Sequence, residues 1–192
     1  MAFSKKTRQE AITKVQNEEM DLLIIGGGIT GAGLTLQAAA TGMKVAVLEM
    51  QDFSEGTSSR STKLVHGGIR YLKNFDVEVV SDTVSERAVV QSIAPHIPKP
   101  DPMLLPIYND EGKTTFDMFS VKIAMDLYDR LAGIDEGSPY ANYTISPEEV
   151  LRREPLIKKK GLQGAGVYLD YRNNDSRLVI DNIKKAVEDG AK

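Results

Sequence analysis

Hydrophobic and polar positions follow different periods along this chain, and each period predicts an element. Leu22–Ile25 is an apolar run of strand length with a β-branched pair, which suits a strand covered on both faces of a parallel sheet. From Ile29 to Ala40 the residues are mostly small or apolar, Ala32, Gly33, Ala38, Ala39 and Ala40 among them, as in a helix packed tightly on a sheet. Gly42 supplies its C-terminal stop. Lys44 to Leu48 returns as a second strand that delivers Glu49. Farther on, Asp76 to Ala94 carries Val77, Val80, Val84 and Ala88 at helical spacing, giving one apolar face. Pro95, Pro98, Pro100, Pro102 and Pro106 then exclude helix and suggest a crossing between domains, with Met103 to Tyr108 as a strand near a sheet edge. Thr115 to Leu131 predicts a helix that buries Phe116, Phe119, Ile123 and Leu127. Ser146-Pro147-Glu148-Glu149 is a capping box opening a short helix that stops before Pro155. Gly164 to Asp170 reads as a strand, and Asp175 as the cap of a last helix running through Val187.

The order of these elements predicts an α/β, Rossmann-like domain. Its expected parts are residues 21–95 and 171–192, interrupted by an inserted segment at 96–170 and preceded by a polar leader at 1–20. In the leader, Ile12 and Val15 sit at helical spacing among nearly balanced charges, which predicts a surface helix packed on its own domain rather than a membrane anchor. After Glu188 the chain reads as a helix end followed by the start of another strand.

Composition narrows the function classes. A net charge of −3 argues against a nucleic-acid partner. The chain has no cysteine, hence no disulfide framework and no thiolate metal site, and no metal is expected. No apolar run has transmembrane length, and the first residues lack the apolar core of a signal peptide. The expectation is a soluble cytoplasmic protein, with peripheral membrane contact and a homo-oligomer left open.

The chemistry begins at Gly26-Gly27-Gly28-Ile29-Thr30-Gly31. Gly26 turns the chain, Gly28 lets the backbone approach a pyrophosphate, and Gly31 lets the helix lie close on the strand. The helix N-terminus at Ile29 and Thr30 then presents free N–H groups and a positive dipole end to phosphates. Glu49 stands about 20 residues on, where an acid accepts hydrogen bonds from a ribose diol. A carboxylate disfavours a 2′-phosphorylated cofactor, yet leaves NAD and the adenosine half of FAD undivided. The next segment, Gly56-Thr57-Ser58-Ser59-Arg60-Ser61-Thr62-Lys63-Leu64-Val65-His66-Gly67-Gly68-Ile69-Arg70-Tyr71, concentrates hydroxyls, cations and a histidine where the chain could run along a pyrophosphate or a flavin edge. The same composition also describes a serine-rich surface loop.

The glycine motif, Glu49-Met50-Gln51-Asp52-Phe53 and the Ser-Thr-Lys-Leu-Val-His-Gly-Gly string together resemble the FAD-dependent glycerol-3-phosphate dehydrogenases and oxidases. The likeness continues through Ala94-Pro95-His96 and Asp126-Leu127-Tyr128-Asp129 to Asp175-Ser176-Arg177-Leu178. It implies an FAD-binding domain of the glutathione-reductase and D-amino-acid-oxidase type. It implies oxidation of glycerol 3-phosphate to dihydroxyacetone phosphate, with hydride passing to flavin N5 and electrons to oxygen or quinone. The leader is similar to that of the oxidases of lactic-acid bacteria, which use oxygen. Members of the family are much longer than 192 residues, so the chain is expected to be an N-terminal piece without turnover of its own.

Carried over residue by residue, the resemblance gives a cofactor set of Gly26, Gly28, Ile29, Thr30, Gly31, Glu49, Met50, Thr57, Ser58, Ser59, Ser61, Thr62, Lys63, Leu64 and His66. His66 is the candidate base, because an imidazole titrates near working pH; holding the flavin or nearby backbone is the other role open to it. Arg70 and Tyr71 are the candidates for the substrate phosphate. Lys63 could stabilise charge on a reduced flavin or stand solvated, and Arg60 departs from the small residue that some dehydrogenases of the family carry there, so the resemblance assigns it no role. His96 reads as structural. Asp170, Asp175 and Arg177 are expected to hold the inserted segment against the cofactor domain. Two other functions fit: an amine or amino-acid oxidase on the same fold, and a nucleotide-binding module without catalysis.

Overall fold

The computed structural model describes residues 4–109 and 117–192. In chain order the elements are α1 (Lys5–Asn17), β1 (Leu22–Ile25), α2 (Ile29–Ala40), β2 (Val45–Leu48), β3 (Leu64–Val65), a 3-10 helix (Ile69–Asn74) and α3 (Val77–Ile93). There follow β4 (Lys99–Tyr108), α4 (Met118–Leu131), β5 (Tyr143–Ile145), α5 (Pro147–Arg153), β6 (Leu162–Arg172) and α6 (Asp175–Glu188). By contact the chain divides into two compact units, one running up to Lys63 and resuming at Asn173–Lys192, the other Leu64–Arg172. The first division falls well before residue 96 because β3 pairs with β6 and so joins the second sheet. No helix among the described residues is long and apolar enough to cross a membrane.

In the first unit β1 and β2 pair in parallel from Leu22↔Val45 to Ile25↔Leu48, as a strand–helix–strand unit requires. The Val47 N–H donates to the Lys192 carbonyl and the Lys192 N–H to the Val45 carbonyl, each at 2.9 Å, so a further parallel pairing begins on the other side of β2. The core joins Ile24, Ala38, Ala39 and Val45 to Ala186 and Ala191, and beside it Ala32 to Val179 and Ile183. The small residues of α2 let it lie between the strands and α6. Contrary to the expectation of two covered faces, β1 buries one: Ile24 is buried, whereas Ile25 is 85% exposed. Strand alternation sends the two to opposite sides, and α2 covers only the first.

One cap differs from expectation. The side chain that receives the Arg177 N–H, at 3.1 Å, is Asn174 rather than Asp175, which is the first helical residue of α6. Helix α1 is capped by a reciprocal Ser4–Thr7 pair and contributes no buried residue, so its weak apolar stripe does not become core.

In the second unit β6 is the central strand, antiparallel to β3, β4 and β5. Strand β4 is longer than Met103–Tyr108, running from Lys99↔Arg172 to Tyr108↔Leu162 through three prolines. Pro100, Pro102 and Pro106 share one parity, so their missing N–H groups all face away from β6 and the ladder loses nothing. Helix α4 buries Val121, Met125 and Tyr128, not the expected stripe: Phe119 is 73% and Ile123 53% exposed, Leu127 is partly buried, and Phe116 lies outside the described residues. The reason is shape. A Cβ on Gly166 of β6 would lie 2.5 Å from Met125 Sδ, so α4 rests on the strand through a glycine notch that only the Met125 side fills. Helix α3 buries Val80 and Val84 as its period predicts, with Arg87 as the third buried residue in place of Ala88. Half of the capping box forms at α5: Ser146 Oγ accepts from the Glu149 N–H at 3.3 Å, while the Glu149 carboxylate turns to Arg152 and Arg153.

Candidate functional site

At the end of β1 the Gly26 N–H donates to the Leu48 carbonyl at 2.8 Å, and Gly26 takes φ +110°, a backbone open to glycine. The next residue is locked on three sides. Gly27 donates its N–H to Glu49 Oε2 at 2.6 Å and accepts the Ser54 N–H at 2.9 Å, and a Cβ there would lie 2.5 Å from Phe53 Cδ1. A Cβ on Gly31 would come to 1.9 Å from the Gly26 carbonyl, so the first turn of α2 touches the strand end directly. The first-turn amides of a helix have no intrahelical acceptor; that of Ile29 is taken by Ser58 Oγ at 2.8 Å, over Gly28. Gly26, Gly28, Ile29, Thr30, Gly31, Glu49 and Ser58 thus gather at one helix N-terminus. Met50 follows Glu49 and is 90% exposed.

Glu49 accepts the Gln51 N–H at 3.0 Å on its second oxygen, and these amide bonds, Gln51 first and Gly27 next, hold its carboxyl below the usual range. An ionised carboxylate has about four acceptor sites, so two amide bonds leave capacity for a ribose diol. The free first-turn donors, the glycine notch and this carboxylate fit the adenosine diphosphate part of a dinucleotide.

The hydroxyl-rich run continues the first unit to Lys63. Ser61 Oγ donates to Asp175, and the Lys63 ammonium donates to the Ser59 carbonyl and lies 3.5 Å from Asp175. Lys63 takes a left-handed φ of +62°, fixed by its N–H to Ser61 Oγ at 3.0 Å and by the Asn173 N–H on its carbonyl at 2.7 Å. Its ammonium is therefore paired, not simply solvated. Thr57 and Thr62 are exposed, and Arg60 pairs with Glu55 at 3.0 Å on the surface.

The remaining candidates belong to the second unit. Leu64 pairs opposite Arg172 in β3, and His66 is exposed. Arg70 donates to the Tyr71 hydroxyl at 3.0 Å and its guanidinium stands 5.0 Å from that ring's centre, leaving most of its donors unspent.

Beneath them lies a buried network that the sequence reading did not identify as a site. Arg87 and Asp170 form an ion pair at 2.9 Å with both side chains 3% exposed, and Arg87 Nη1 also donates to the Tyr128 hydroxyl at 2.9 Å and the Leu169 carbonyl at 3.0 Å. The guanidinium stacks 4.6 Å from the Tyr171 ring centre. Burial drives the Tyr128 phenol well above its ordinary range and that of Tyr168 up to about 12. The signal for Arg87 was its place on the Val80–Val84 stripe, where an arginine breaks an apolar face. Asp170 thus pairs within the second unit, and Arg177 pairs with Asp181 along α6 at 2.9 Å.

The parallel strand–glycine turn–helix–strand unit and its terminal carboxylate define a dinucleotide-binding oxidoreductase fold. The chain belongs to the FAD-dependent oxidoreductases, whose family model, described as FAD dependent oxidoreductase, matches residues 21–192. An alpha-glycerophosphate oxidase of Lactococcus lactis subsp. lactis (strain IL1403) is 96% identical over 191 residues, covering 100% of this chain and 31% of that protein. The alpha-glycerophosphate oxidase of Enterococcus casseliflavus is 68% identical over the same share of each chain. Among solved structures, the glycerol-3-phosphate dehydrogenase from Bacillus halodurans complexed with FAD matches at TM-score 0.68 and 37% identity, covering 99% of this chain and 29% of that one. The FAD-bound L-alpha-glycerophosphate oxidase of Mycoplasma pneumoniae shares the fold at TM-score 0.64 and 14% identity, over 91% of this chain and 44% of that one. The chain thus spans about a third of the length of the curated relatives it matches.

Proposed function

We propose that this chain is the FAD-binding portion of a cytoplasmic flavoenzyme of glycerol metabolism that oxidises sn-glycerol 3-phosphate to dihydroxyacetone phosphate and passes two electrons and two protons to oxygen, giving hydrogen peroxide. The observation that carries this reading is the Gly27–Glu49 lock at the head of α2, in a chain 96% identical to an alpha-glycerophosphate oxidase. When bound, FAD supplies the hydride acceptor at its N5. Gly26, Gly28, Ile29, Thr30 and Gly31 receive the pyrophosphate, and Glu49 with Met50 the ribose side. Thr57, Ser58, Ser59, Ser61, Thr62, Lys63 and Leu64 offer hydroxyls, an ammonium and backbone groups along the cofactor. His66 takes the proton from the C2 hydroxyl on an imidazole nitrogen lone pair. Arg70, which has donors left after bonding Tyr71, and Tyr71 itself receive the substrate phosphate. The chain alone lacks turnover in this reading.

Anaerobic addition of glycerol 3-phosphate to the full-length protein should bleach the oxidised flavin spectrum, and an unchanged spectrum at saturating substrate would sink the assignment. Likeness to the Bacillus halodurans dehydrogenase supports a second reading, with quinone as acceptor. Stoichiometric peroxide in air selects the oxidase; its absence with a quinone analogue reduced selects the dehydrogenase.

A further inference from the structure

Gly67, the residue after His66, has both backbone polar groups held by side chains from three elements. Its N–H is shared between Asp170 Oδ1 of β6 at 2.9 Å and the Tyr128 hydroxyl of α4 at 3.0 Å. Its carbonyl accepts the Thr83 hydroxyl of α3 at 2.8 Å, which also reaches the Val79 carbonyl at 2.7 Å in its own helix. The room is as closed as the bonding: a Cβ at 67 would lie 2.2 Å from Tyr128 Oη and 2.4 Å from Val84 Cγ1. Tyr128 donates on to Asp170 Oδ1 at 3.0 Å, and Arg87 neutralises that carboxylate at 2.9 Å. Asp170 and Tyr128 thus meet at one peptide, and Arg87 holds both from behind.

A buried ion pair is an expensive way to stabilise a core, because desolvation offsets most of the attraction and well-packed apolar residues do as well or better. What it supplies is a fixed position for the group it binds. Here that group is the peptide carrying His66, and the clamped residue directly precedes the left-handed Gly68 (φ +73°) from which the helix bearing Arg70 and Tyr71 starts. We propose that Arg87, Tyr128 and Asp170, assisted by Thr83, are positioning residues that hold the Gly67 peptide and thereby fix the His66 imidazole for proton removal from the substrate alcohol. This rests on the assignment of His66 as base.

The test uses the full-length flavoenzyme and anaerobic stopped-flow reduction by glycerol 3-phosphate, which separates the limiting reduction rate from substrate affinity. Tyr128→Phe keeps the ring and the packing but removes the hydroxyl. It should retain FAD and lower the limiting rate about tenfold or more, with the apparent dissociation constant moving less than about twofold, as small misplacements of a reacting group do. Thr83→Val should act in the same direction more weakly, and Thr83→Ser, which keeps the hydroxyl, should restore the parent rate. Because the clamp acts through His66, adding Tyr128→Phe to His66→Gln should cost nothing further. A His66→Gln enzyme reduced at the parent rate overturns the base assignment and this proposal with it. A slow His66→Gln enzyme beside a Tyr128→Phe enzyme of unchanged rate overturns the positioning role alone, as does a double variant whose losses multiply.

Discussion

Glu49 and Asp170 each accept the amide of a glycine, Gly27 at 2.6 Å and Gly67 at 2.9 Å, and each glycine also has its carbonyl taken, by the Ser54 N–H and the Thr83 hydroxyl. Both glycines lie so close to an aromatic side chain that a Cβ would collide with it, Phe53 in one unit and Tyr128 in the other. The surroundings differ. Glu49 is partly exposed and its other bonds come from backbone amides alone. Asp170 is 2% exposed and shares one oxygen among Gly67, Arg87 and Tyr128. The first lock leaves its carboxylate able to receive a ligand; the second is buried, and its Oδ1 holds the chain.

The largest effect that could break this contrast comes from Asp170→Ala, which leaves Arg87 buried without its partner. Loss of one member of a buried pair costs about 3–5 kcal/mol, so the urea midpoint of the full-length protein should fall sharply. Glu49→Ala should leave that midpoint close to the parent and lower the flavin-to-protein ratio instead. If the two variants behaved alike in both measurements, the distinction between an open and a closed lock would be void. Next in size is Gly31→Ala, whose Cβ would stand 1.9 Å from the Gly26 carbonyl. Overpacking of this kind costs about 1–3 kcal/mol and should displace α2 enough to strip the flavin. Gly33→Ala is its control: nothing lies within 4 Å of a Cβ there, and replacing a helical glycine by alanine should stabilise by roughly 0.5–1 kcal/mol.

Acid sharpens the comparison further. The Glu49 carboxyl is held below its ordinary 4.5 by backbone amides, so its contribution is complete above that value and is lost as pH falls from 4.5 through the lowered one. Flavin retention should be level from neutrality to about pH 5 and decline below it; a Glu49→Gln protein should hold flavin less well at pH 7 and lose most of that pH dependence. A parent profile that followed that of Glu49→Gln throughout would remove Glu49 from the binding account. The smallest effect is expected at Glu149, held at about 2 by bonds from Arg152 and Arg153 on the surface of α5. An exposed pair without a glycine to fix contributes little, and Glu149→Gln should match the parent in melting temperature and flavin content at pH 7.

Much of the first unit was legible because its signals are local. The Leu22–Ile25 run, the glycine spacing and the small residues from Ile29 to Ala40 act within a few positions of one another, and β1, α2 and β2 fall where they point. The position of Glu49 was legible too; its bond to Gly27 was not, since the fingerprint marks the flanking glycines and says nothing of the middle one. In the second unit, Val80 and Val84 marked a face correctly, whereas α4 carries two apolar stripes and its own period could not choose between them. The choice was made by Gly166, on a strand far along the chain, and by the Tyr128 hydroxyl finding Arg87 and Asp170.

The strand–turn–helix–strand order, the glycines that turn it and the acid that ends it were determined by sequence alone, because backbone sterics and side-chain period operate over short separations. Only the tertiary structure decided that Arg87 would face inward and meet Asp170 across a separation of 83 residues. A buried charge is tolerable only where folding brings its partner and its hydrogen bonds together, and no short-range pattern records which distant residue that partner will be.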